Sequence, residues 1–177
     1  MFKKILVATD GSEHAIKAVI VASDLAAKYQ ADLTLFHVLL REVSPGDVHN
    51  LAERNNVPAD VIAKIQDVEE SGTAIASAAM PMAYVPQSAI PDELLRQVGE
   101  LILAQAERVA KGEGATSITK TIGDGSPATT ILERAKLDEV DLIVLGSRGL
   151  SDFKGLLIGS VSHKVSHLAE CTCVSVK

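Results

Sequence analysis

The chain has no tryptophan, and aromatic residues make up only 3% of its 177 positions. Its core must therefore be aliphatic. Stretches that interleave aromatic and basic residues are also missing. With 17 basic against 23 acidic residues and a net charge of -6, no cluster of Lys and Arg is available to neutralise phosphates. Nucleic-acid binding is not expected. Cysteine is scarce: Cys171 and Cys173 are too few for a disulfide framework. The opening MFKKILVATD is not a signal peptide, because Asp10 ends its short apolar run. No stretch reads as a membrane span. Ser71 to Pro91 carries no charge, but its prolines, serines and alanines argue against insertion. A cytoplasmic location is the resulting expectation.

What is present is an ordinary globular balance, 47% hydrophobic and 23% charged. The length suits one domain, 1–177, with a substantial core. Lys3 to Thr9 is a short β-leaning run, followed by the turn signal Asp10-Gly11-Ser12. Ala15, Ile16, Val19, Ala22, Leu25 and Ala26 then recur at helical spacing. Asp32 to Leu39 reads as a second strand, completing a unit as long as a parallel crossover needs. Asp92 to Ala110 is helical, with Pro91 at its start. Thr116 to Ile122 reads as a strand. Ser126-Pro127 looks like an N-cap and first-turn proline. Asp141 to Gly146 is nearly all apolar, as expected of a strand covered on both faces. Ser160 to about Leu168 can form a last helix, and Thr172 to Val176 a last strand. Alternating strands and helices predict an open parallel α/β sheet.

Arg41 to Pro91 breaks the pattern, being far longer than an ordinary connection of about 4–6 residues. Within it, Val57 to Glu70 reads as one amphipathic helix, with Val61, Ile62, Ile65 and Val68 on one face. The segment is an insertion that packs on the domain or a second subunit, covers a site, or docks a partner through 71–91.

Ligands of open α/β sheets sit beyond the carboxyl ends of the strands, where connections diverge to opposite faces. The turns that follow the strands converge there: Thr9 to Ser12, Val38-Leu39, Gly123 to Ser126, and Gly146 to Gly149. From Gly146 to Ser160 glycines let the backbone approach a ligand closely. Gly159 precedes a helix whose free N–H groups favour an anion, and Ser160 and Ser162 add hydroxyls. This stretch allows two readings: a phosphate cradle, or a turn at Gly146 and Gly149 with Ser160 capping a helix. Asp10 likewise fits a capping box with Glu13 or a ligand contact. Arg148, between two glycines, suits phosphate or is a solvated loop cation.

The spacing Gly146, two residues, Gly149, nine residues, Gly159-Ser160 matches the nucleotide-binding signature of the universal stress protein family. ILVATDGSEHAIKAV resembles that family's first strand and helix, FHVL its second strand, and Gly125-Ser126-Pro127-Ala128 its turn before a helix. The ending resembles its final helix and strand. About two thirds of the chain, all outside 41–91, takes part. The resemblance implies five parallel strands ordered 3-2-1-4-5 with helices on both faces (adenine nucleotide alpha hydrolase-like) and an insertion after strand two. It implies ATP, with Mg2+, at the switch point. Carried over by position, Ala8, Thr9 and Asp10 would contact the adenosine end, Val38 the adenine edge through its backbone, and Gly125 the nucleoside. Gly146, Arg148, Gly149, Gly159, Ser160, Val161 and Ser162 would hold ribose and phosphates. A homodimer through the strand 172–176 is implied as well. Thr172 stands where the family commonly has proline, which restores a backbone donor.

Other features are set aside. His163 and His167 have a zinc-compatible spacing but no evident third ligand. Cys171 and Cys173 share one side of a strand and suit packing better than redox chemistry. His37 reads as a structural residue. The functional expectation is an ATP-binding regulatory module of a stress response. The alternatives are a slow ATPase or self-phosphorylating enzyme, for which no general base or P-loop lysine stands out, and a scaffold acting through the insertion.

Overall fold

The computed structural model describes residues 1–41, 43–55, 57–78, 90–150 and 159–177, with the backbone alone at 69 and 71–78. The expectations that rest on 79–89 and 151–158 lie outside the described residues. Among the described residues the strands are β1 (Lys4–Ala8), β2 (Asp32–Val38), β3 (Ile118–Gly123), β4 (Leu142–Gly146) and β5 (Thr172–Val176). The helices are α1 (Glu13–Tyr29), α2 (Pro45–Arg54), α3 (Ala59–Ala78), α4 (Asp92–Gly112), α5 (Pro127–Leu137) and α6 (Ser160–Leu168). The strands form one parallel sheet in the order β3-β2-β1-β4-β5.

Period-two alternation divides the strand side chains between two cores. Ile5, Val7, Leu33, Leu35, Leu142 and Val144 face α1 and α4, where they meet Ala18, Val19, Ala22, Leu103 and Ala106. Leu6, Phe36, Ile143 and Leu145 face the other way, onto Ala128, Ile131 and Ala135 of α5 and Val165 of α6. Such a strand has no polar face, which is why β4 is an unbroken apolar run. Each fully buried Leu or Ile contributes about 1.5–3 kcal/mol relative to exposure. The scarcity of aromatics is met by small alanines on α1, which let the helix sit close to the sheet.

The described part of the 41–91 segment carries two helices, where one was expected over 57–70. α2 was not evident from periodicity, although Ser44 caps it by accepting from the Asp47 N–H and Pro45 occupies its first turn. α3 begins at Ala59 and runs on to Ala78, past the expected end at Glu70. A third core joins them to α4: Val48, Leu51 and Ala52 of α2, Val61 and Ile65 of α3, and Leu94, Leu95, Val98 and Ile102. The described part of the segment therefore packs on α4. Elsewhere the boundaries shift slightly. β2 ends at Val38, although the Leu39 N–H still donates to Gly123 at 3.0 Å. β3 starts at Ile118.

The connection α1 leaves β1 on one face of the sheet, while α5 enters β4 on the other. Since β1 pairs with both β2 and β4, the chain reverses its winding between β1 and β4. The segments after these two strands diverge there and leave a crevice.

Candidate functional site

A cavity of about 170 Å³ fills that crevice. Ala8, Thr9 and Asp10 reach it from the end of β1, Val38 from β2, and Gly146, Arg148 and Gly149 from β4 and its loop. Gly159, Ser160, Val161 and Ser162 reach it from the start of α6. Every residue expected at the site lines the cavity except Gly125. That glycine follows β3 with a φ of +126° and stands outside the lining. The wall beneath it is made instead by Pro127 and Ile131 of α5. Sequence reasoning also missed Leu40 and Val43, which follow β2 and line the same cavity. An apolar pair just beyond a strand end was the available signal.

The cavity has two chemically different ends. Val38, Leu40, Val43, Pro127, Ile131 and Leu145 make an apolar slot. Gly146, Arg148, Gly149 and the first turn of α6 make a polar rim. Gly159 is the N-cap of α6, and among the described residues no side chain caps that helix. Its early N–H groups are thus left to a ligand or to water.

Hydrogen bonds fix the rim. Asp10 is not the N-cap of α1. Ser12 is, with its Oγ accepting from the Ala15 N–H at 3.3 Å. The Asp10 carboxylate instead accepts from the Ser12 N–H at 3.0 Å and, across the crevice, from the Leu150 N–H at 3.1 Å. It fastens the loop after β4 to the end of β1. Ser162 is buried, and its hydroxyl hydrogen is directed at the carbonyls of Ser147 and Gly159, both at 2.9 Å. What Ser162 offers a ligand is therefore not that hydrogen, whereas Ser160 is exposed.

The glycines serve close approach rather than unusual dihedrals. None of Gly146, Gly149 and Gly159 has a positive φ. A Cβ on Gly146 would stand 2.8 Å from the backbone of His14 and 2.9 Å from that of Ala15. A Cβ on Gly149 would stand 2.5 Å from Asp10 Oδ2. At Gly159 the nearest atom would be the Ser147 oxygen at 3.4 Å, an ordinary contact. Two of the three glycines are thus needed by the protein itself.

His37 lies behind the site, fully buried in β2. Its Nδ1 is 2.9 Å from the Thr9 carbonyl, which can only accept, so Nδ1 carries the hydrogen. Nε2 is then a buried acceptor without a partner among the described residues. Burial pushes the His37 pKa below 6.5, against the opposing effects of the Thr9 hydrogen bond and the Asp10 charge. The rings of His163 and His167 lie nearly parallel, 6.4 Å apart. No cluster of three or more potential metal ligands occurs among the described residues. Cys171 and Cys173 pack against the α5–α6 core. Burial pushes the Cys173 thiol up to about 11 and raises Cys171 too, so neither favours the thiolate.

The topology and the crevice define an open-sheet α/β protein with a cavity at its switch point. The family model "Usp: Universal stress protein family" matches residues 1–74 and 59–177. The chain belongs to the Universal stress protein family. It is similar to "Universal stress protein YxiE" of Bacillus subtilis, 34% identical, with all of both chains covered. Among solved structures it is similar to a universal stress protein in complex with cAMP, with a TM-score of 0.58, 24% identity and coverage of 99% and 96%. A universal stress protein from Archaeoglobus fulgidus in complex with dAMP gives a TM-score of 0.60 at 17% identity, with coverage of 99% and 98%. These structures share the fold. No helix among the described residues is long and apolar enough to cross a membrane.

Proposed function

We propose that the chain binds ATP, accompanied by Mg2+, in the switch-point cavity and acts as a nucleotide-dependent regulatory module. The observation that carries this reading is the cavity's polarity: an apolar slot ends in a helix N-terminus that no side chain of the described residues caps. That arrangement suits a planar base at one end and phosphates at the other. Val38, Leu40, Pro127 and Ile131 would enclose the base. Ser160 and Val161 would present N–H groups to phosphate, with Arg148 beside them, while the Gly159 N–H is held by the Ser147 carbonyl at 2.8 Å. Magnesium would offset phosphate charge and is not assigned a protein ligand. Relatives crystallised with cAMP and dAMP support an adenine nucleotide.

Binding is favoured over turnover. Asp10, the carboxylate in the lining, is held by two backbone amides rather than poised beside Ser160. The module would signal as a homodimer through β5, an outer strand whose Thr172 keeps its N–H. A protein partner would be engaged through 71–91.

Calorimetric titration with Mg-ATP, dAMP and cAMP tests the reading. Saturable binding is expected for wild type and its loss for Gly159→Asp, which places a carboxylate at the α6 N-terminus. Wild type that binds no adenine nucleotide would overturn it.

A further inference from the structure

The neck of the 41–91 segment is closed by one guanidinium. Arg41 Nε and Nη2 donate to the two oxygens of Asp124 at 2.6 and 2.8 Å. Nη1 and Nη2 donate to the two oxygens of Asp92 at 2.6 and 3.0 Å. Three separate parts of the chain meet here: the exit of β2, the first residue of α4, and the turn after β3. Both carboxyls are held below their usual range, chiefly by hydrogen bonding to Arg41. Single exposed ion pairs count for little, but a doubly bidentate arginine is the exception in geometry and in directional strength.

Its placement gives it a consequence at the cavity. Leu40 and Val43 flank Arg41 and line one side of the apolar slot. Asp124 stands three residues before Pro127, which also lines the cavity and opens α5, a helix of the other core cluster. We infer that Arg41 is a positioning residue for the switch-point site, clamping the Leu40–Val43 wall to the Pro127 wall and so setting the width of the base end. The inference rests on the nucleotide reading proposed above. Without Arg41, Asp92 and Asp124 face each other across the neck with Arg96 as the remaining cation acting on both, and like charges push the walls apart. The phosphate end, built from β4 and α6, has no part in the clamp. The device is therefore specific to the base.

The test compares ATP and adenosine affinities of wild type, Arg41→Gln and Arg41→Lys at low and high salt. Arg41→Lys keeps the charge but not the fork, and guards against a variant that fails to fold. The expected result is that Arg41→Gln weakens both ligands by one common factor, on the order of threefold or more. Arg41→Lys should fall in between, and added salt should shrink the wild-type advantage. A loss confined to ATP would place the effect at the phosphates and overturn the clamp. So would unchanged adenosine affinity in folded Arg41→Gln. Either leaves the nucleotide reading standing, whereas wild type that binds neither ligand overturns both.

Discussion

Asp10 and Gly149 are 139 positions apart, yet each explains the other. The carboxylate reaches over the crevice to the Leu150 N–H, and Gly149 lacks a side chain because that carboxylate occupies the space. Gly149→Ala is expected to cost about 1–3 kcal/mol, typical of overpacking. Gly159→Ala, with a φ of -71° and ordinary contacts, should stay within about 1 kcal/mol of wild type, as the helix-cap role of glycine allows. Urea denaturation of the two variants separates them, and equal costs would contradict the packing argument. His37 gives a second prediction at this scale. Its folded pKa lies below its unfolded value of 6.5, so the unfolded chain takes up the proton first on acidification. The stability it confers is complete above about 6.5 and declines as pH falls from there toward the folded pKa. His37→Asn keeps an N–H donor for the Thr9 carbonyl and removes the titration. Its stability should fall less steeply between roughly pH 6.5 and 5, though from a lower starting value. An unchanged slope would assign the acid sensitivity to other groups.

The elements show what a sequence can and cannot display. β4 was legible because both its faces are buried, and α6 because Gly159 precedes its first turn. α2 was hidden: Gly46, His49 and Asn50 dilute its apolar positions, although Ser44-Pro45 marked its start. At the start of α1 the sequence reading allowed Asp10 as cap, whereas Ser12 is the N-cap. Local spacing favoured Asp10 with Glu13. The choice was decided by a contact with Leu150 that no local pattern contains. Ser12→Ala should therefore cost about 1 kcal/mol as a lost cap. Asp10→Ala should instead release the far loop. Amide hydrogen exchange at Leu150 should accelerate in Asp10→Ala and not in Ser12→Ala. The reverse pattern would return the capping role to Asp10. The same limit explains Gly125. Its place after β3 was legible, but its position outside the lining depends on where the cavity falls in three dimensions.

At the scale of the whole molecule, apolar strands alternating with helices predict an open parallel sheet. The order 3-2-1-4-5, and with it the β1–β4 switch point, was implied by the family resemblance and is the order observed. The way 41–91 closes its neck through Arg41, Asp92 and Asp124 needed the structure, because those three residues are remote in sequence and each looks like an ordinary surface charge. The central claim is that this cavity holds an adenine nucleotide. It is tested most directly by native mass spectrometry of freshly purified protein, before and after addition of Mg-ATP, with any released ligand identified after denaturation. The account predicts a dimer carrying one ATP per chain, by co-purification or on addition. A protein that stays nucleotide-free with Mg-ATP in excess would contradict it, and the glycine-spaced rim would then be architecture alone.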